Sequence, residues 1–73
     1  MRRLETAADV RALLRRFGAI FYTGDPLGEI ELMREELREL FQAGLIDRET
    51  LRAALEALRR READLIADRD EER

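Results

Sequence analysis

The chain has 73 residues, of which 42% are charged and 45% hydrophobic, and its formal net charge is −3. That length holds one domain, and the apolar share is that of a folded chain. With no cysteine and no histidine, disulfides and thiolate metal sites are excluded, as is the side chain best suited to proton transfer near neutral pH.

The first element is expected after Thr6, a good N-cap, with Asp9 three residues on to complete a capping box. Val10, Leu13, Leu14 and Phe17 recur at i, i+3, i+4 and i+7, the spacing of one helix face. Gly18 stands where a left-handed C-cap is wanted. This helix is short, about 11 residues or roughly 16 Å. Residues 19–25 must cross the remaining length, and Ile20 and Phe21 are expected to plug the end of the core.

Asp25-Pro26 is the clearest start signal. Asp caps, and Pro loses nothing at the first helical position, where its missing N–H had no partner. Leu27, Ile30, Met33, Leu37, Leu40 and Phe41 line one face until Gly44. Gly28 in the first turn is a mild weakness.

Asp47 opens the third helix after the turn Gly44-Leu45-Ile46, a link short enough to make an antiparallel pair. Helices two and three are each expected to approach 18–20 residues, roughly 27–30 Å. Leu51, Ala54, Leu55 and Leu58 form the inner stripe of helix three. Arg52–Glu56, Glu56–Arg60 and Arg60–Asp64 have the i, i+4 spacing of helix ion pairs. Glu62 interrupts the stripe, so the core is expected to end near Leu58, with Leu65 and Ile66 beyond it. Residues 68–73 hold no apolar side chain and are expected to fray. The reading is all-α: a small three-helix bundle over residues 1–67 with a charged C-terminal tail. No apolar run serves as a signal or a membrane span, so a cytoplasmic protein is expected.

Tyr22-Thr23-Gly24-Asp25-Pro26-Leu27, continued by Glu31-Leu32-Met33, Glu36-Leu37-Arg38-Glu39-Leu40-Phe41 and Gly44-Leu45-Ile46-Asp47, resembles the YqgQ-like family of short bacterial proteins. The resemblance covers about residues 10–60. It implies a three-helix bundle of uncharacterised function, for which single-stranded nucleic-acid binding has been suggested. Pro26 departs from the polar or basic residue expected there.

Charge is uneven along the chain. Residues 1–17 hold five Arg against Glu5 and Asp9, whereas residues 26–43 hold five Glu against Arg34 and Arg38. Arg11, Arg15 and Arg16, joined by Arg2 and Arg3, together with Arg59, Arg60 and Arg61, offer a basic track for a nucleic-acid backbone. The same residues also read as a solvated face pairing with helix-two carboxylates. Tyr22 invites a similar choice. Exposed, it stacks on a base, beside Gly24 and the helix-two N-terminus; folded in, it caps the core at a structural corner. Asp25 counts against anion binding at that terminus, because its carboxylate competes for the same amides. Glu31, Glu35 and Glu39 form a carboxylate ridge that reads best as a solvated face.

Catalysis has no support: there is no nucleophile elbow, P-loop or GxGxxG, and a bundle this small has little room for a pocket. No cofactor and no metal are expected. Two functions remain. One is binding of single-stranded DNA or RNA through Tyr22 and the arginines. The other is a protein-interaction or self-assembling module in which Leu32, Leu65 and Ile66 form the interface of a homo-oligomer.

Overall fold

The computed structural model describes residues 4–71, with side chains from residue 4 to residue 69. Arg2 and Arg3, expected to join the basic track, lie outside the described residues. Three helices make up the described chain: α1 (Ala7–Arg16), α2 (Pro26–Gln42) and α3 (Arg48–Glu71). The all-α three-helix reading therefore holds.

α1 starts on a capping box. Thr6 Oγ1 accepts from Asp9 N–H at 3.2 Å, and Asp9 Oδ2 accepts from Thr6 N–H at 3.1 Å. These bonds satisfy amides that have no partner within the helix. The helix ends at Gly18 (φ +87°), with Gly18 N–H donating to the Arg15 carbonyl and Ala19 N–H to that of Leu14. This is a Schellman motif, and its left-handed residue favours glycine. Val10 and Leu14 are fully buried, and Leu13 packs half-buried beside them. Phe17, expected on the same stripe, remains 42% exposed. It is the C-cap residue, so the chain turns away before its ring can follow the helix face. Phe21 packs against the core instead. Ile20, the other expected plug, is 67% exposed.

α2 opens with Pro26 at its first position after Asp25, but Asp25 makes no side-chain capping bond. Its carboxylate instead lies over Gly28, where a Cβ would come within 2.7 Å of Oδ2. Ile30, Met33, Leu37 and Leu40 are buried as the periodicity requires. A second Schellman motif closes the helix at Gly44 (φ +76°), with Leu45 N–H donating to the Leu40 carbonyl.

Asp47 starts α3 by accepting from Thr50 N–H at 2.7 Å. Ala54, Ala57 and Leu58 are buried, with Leu51 and Leu55 half-buried beside them. At 24 residues, α3 is longer than expected and continues through the expected boundary at residue 67 as far as Glu71. The core also runs further than expected: Leu65 packs against it. Leu65, suggested by the sequence as an interface residue beyond the core, is partly buried against it. The interruption at Glu62 is bridged rather than terminal, because Arg34 reaches across from α2 to meet it.

Each helix pair is closed by one arginine. Arg11 joins α1 to Glu29 of α2, Arg34 joins α2 to Glu62 of α3, and Arg60 of α3 donates to the Glu5 carbonyl ahead of α1.

Candidate functional site

The α1–α2 connection presents the feature that most needs explaining. Tyr22 is 92% exposed, so it does not cap the core. Its two neighbours in the chain are held. Arg11 Nη1 donates to the Phe21 carbonyl at 3.2 Å, while Arg11 Nη2 donates to Glu29 Oε1 at 2.7 Å. Glu29 Oε2 accepts from Thr23 N–H at 3.3 Å and lies 3.2 Å from the Thr23 hydroxyl. That hydroxyl accepts from Asp25 N–H at 3.1 Å and shares its single proton between Glu29 and the Asp25 carbonyl. Gly24 allows the turn by adopting φ +75°. The hydrogen bond from Arg11 holds the Glu29 carboxyl below its ordinary range, with Thr23 contributing in the same direction.

The candidate arginines fall into two groups. Arg11 is committed to Phe21 and Glu29. Arg59 is closed on Glu56 at 2.7 Å, three residues back, in place of the expected i, i+4 pairs of Glu56. Arg60 is committed to the Glu5 carbonyl at 2.6 Å. Among the described residues, Arg15, Arg16 and Arg61 form no ion pair. Arg15 and Arg16 lie in the last turn of α1, where they also complement the negative end of the helix dipole. They immediately precede the connection that carries Tyr22. Arg60 meets the opposite end of α1, with about 15 Å of chain rise between Glu5 and Arg15. Arg60 thus reaches the chain just ahead of α1, whereas Arg15 and Arg16 lie in the helix's last turn.

On the remaining surface, Glu31, Glu35 and Glu39 are exposed, as a solvated face requires, and Glu31 pairs with Arg34. Leu32 is 39% and Ile66 46% exposed. No group of three or more acidic, His or Cys side chains among the described residues is arranged to hold a metal ion. No described helix is long and apolar enough to cross a membrane.

The family model of the YqgQ-like proteins matches residues 4–64. The chain belongs to the YqgQ-like family. A curated relative, the uncharacterized protein YqgQ of Bacillus subtilis (strain 168), is 42% identical over 57 residues, which span 78% of this chain and 80% of the relative. No solved structure matches the chain significantly. The YqgQ-like match takes in α1, α2, α3 as far as residue 64 and the Tyr22 connection, so the feature described here lies within the matched part.

Neither Thr23 nor Glu29 was marked by the sequence as a site residue. The Arg11–Glu29 contact joins residues 18 apart on different helices, and no local spacing announces it. Thr23 two residues before Asp25 is the spacing of a side-chain turn, which is the one local signal the segment carries.

The carboxylates make stability depend on acid in a definite direction. Glu29, Glu62 and Glu56 are held below the ordinary range by Arg11, Arg34 and Arg59, and Asp47 by the Thr50 backbone. The unfolded chain therefore takes up protons first as pH falls, and folding loses the contribution of these groups as pH passes down through their folded values. The urea midpoint is expected to stay level well above the ordinary carboxylate range and to fall once the pH drops below the ordinary values of 4.5 for Glu and 3.8 for Asp. A midpoint that rises over the acidic interval contradicts this assignment.

Proposed function

We propose that this chain is a non-enzymatic, cytoplasmic binding module for single-stranded nucleic acid. In this reading Tyr22 is the stacking platform, and Arg15 and Arg16 are the phosphate contacts. The observation that carries it is the near-complete exposure of Tyr22 on a connection whose backbone is held on both sides. An aromatic ring free on its faces stacks on any base, which makes binding tolerant of sequence. Arg15 and Arg16, without ion pairs among the described residues, carry positive charge in the last turn of α1, ahead of the connection that bears that ring. Their local field matters because the whole chain is acidic, with a net charge of −3, and gives no general attraction to phosphate. Arg11, Arg59 and Arg60 are left out of the contact set because their guanidinium groups already have partners: Arg11 in Phe21 and Glu29, Arg59 in Glu56 on the helix surface, and Arg60 in the Glu5 carbonyl.

The test is fluorescence anisotropy of a labelled single-stranded oligonucleotide titrated with the protein at two salt concentrations. Two phosphate contacts give a slope of about −1.4 in log affinity against log salt, so affinity falls about sevenfold for a fourfold rise in salt. Tyr22→Ala is expected to weaken binding by about 1–3 kcal/mol, the worth of one stacked base. Arg15→Glu is expected to abolish detectable binding. Absence of binding by the wild-type protein at low salt overturns the reading. The exposed Leu32 and Ile66 would then direct attention to self-association or a protein partner.

A further inference from the structure

We propose that Arg11, Glu29 and Thr23 form a clamp whose role is to position Tyr22, which makes Arg11 a positioning residue rather than a phosphate contact. The inference rests on the binding role proposed for Tyr22 and adds how that residue is held. A side chain that packs against nothing gives its own segment no reason to be ordered, and exposed connections are normally the mobile part of a small domain. Here the carbonyl before Tyr22 is held by Arg11 at 3.2 Å and the N–H after it by Glu29 at 3.3 Å. A 2.7 Å ion pair between those two side chains completes the link.

The anchors come from α1 and α2, which are the rigid elements, and grip Phe21 and Thr23, the two residues of the loop that flank Tyr22. Glu29 is well covered, with its side chain 13% exposed, and Arg11 is partly covered at 38%. The bundle has no packing need for this arrangement at residue 22, because Phe21 fills the adjoining seat in the core while Tyr22 projects away. Ordering the segment before a ligand arrives removes that ordering cost from the binding step.

The chain has one tyrosine and no tryptophan, so intrinsic emission reports Tyr22 alone. The experiment compares wild type with Arg11→Gln, Arg11→Lys and Thr23→Val by three readouts. These are time-resolved anisotropy of Tyr22 emission without ligand, affinity for a labelled single-stranded oligonucleotide, and the thermal midpoint. Arg11→Gln is expected to enlarge the fast local depolarisation of Tyr22 and to weaken affinity about tenfold, as one or two backbone residues regain their freedom. Arg11→Lys keeps the charge facing Glu29 and is expected to fall between wild type and Arg11→Gln. Thr23→Val removes a hydroxyl from an exposed position, so it is expected to loosen Tyr22 with the thermal midpoint nearly unchanged; it keeps the test decisive if Arg11→Gln fails to fold.

Unchanged local motion in both Arg11→Gln and Thr23→Val overturns the clamp. So does greater motion with affinity unchanged, in a background where wild type binds and Tyr22→Ala binds more weakly. If wild type binds no oligonucleotide, the functional reading fails, while the depolarisation data still decide whether the clamp orders Tyr22.

Discussion

Leu37→Ala leaves the domain largely unfolded in plain buffer at room temperature. Leu37 is fully buried in the middle of α2, and α2 packs chiefly on α3. Truncating a leucine at such a site costs about 2–5 kcal/mol, because the transfer term and the residual cavity add. A domain of this size, without disulfide or metal, has only about 3–5 kcal/mol in total. The loss is read by far-ultraviolet circular dichroism with a urea titration. Leu32→Ala is the control: Leu32 sits on the same helix but is 39% exposed, and its loss is expected within about 0.5 kcal/mol of neutral. Equal effects of the two substitutions contradict the placement of the core.

The signals that made the fold legible in the sequence are local ones. The Thr6–Asp9 box, Asp25-Pro26, Gly18, Gly44 and the i, i+3, i+4 periodicity each fix an end or a face within a few residues of themselves, and the structure places all three helices accordingly. The misplacements share one cause, which is that they depend on residues far apart in sequence. Glu62 on the apolar stripe reads as the end of the core until Arg34, 28 positions away, is seen to neutralise it. Leu65 then joins the core. Phe17 belongs to the α1 stripe by spacing and Ile20 to the end of the core, yet both stay exposed, and Phe21 alone of the three packs against the core after α1 turns at Gly18. The candidate site was legible in part. Tyr22 stands out by composition, but its exposure and the two anchors of its segment come from three separate stretches of chain. Arg11 was visible as a cation, and its commitment to Phe21 and Glu29 was not.

Arg34 carries the second large effect, and its sign depends on what happens to Glu62. The guanidinium meets the carboxylate through two hydrogen bonds, Nη1 to Oε2 at 3.1 Å and Nη2 to Oε1 at 2.9 Å, with side-chain exposures of 17% and 30%. Two parallel charge-assisted bonds exceed the usual worth of a surface ion pair. Arg34→Ala strands a partly covered carboxylate on a core-facing stripe and is expected to cost about 1–2 kcal/mol. Replacing both partners with leucine removes the stranded charge and extends the apolar seam from Leu58 to Leu65, so the double variant is expected at wild-type stability or above it. The pair is measured by chemical denaturation of the two single variants and the double. Simple additivity of the two losses contradicts the account, because it means the side chains do not act on each other.

The bundle thus spends its arginines in two ways. Arg11, Arg34 and Arg60 hold the three helix pairs together, while Arg15 and Arg16 face solvent in the last turn of α1. In the α1–α2 connection Phe21 packs against the core while Tyr22 has no packing duty, and the clamp around Tyr22 uses that freedom.

The central claim, that Tyr22 is held out as a stacking platform, is tested most directly by its own emission. Titrating the protein with an unlabelled single-stranded oligonucleotide, with correction for absorbance, is expected to quench tyrosine fluorescence in a saturable way at low salt and to restore it on addition of salt. Emission that stays unchanged while the oligonucleotide is taken to saturation or to its solubility limit contradicts the claim.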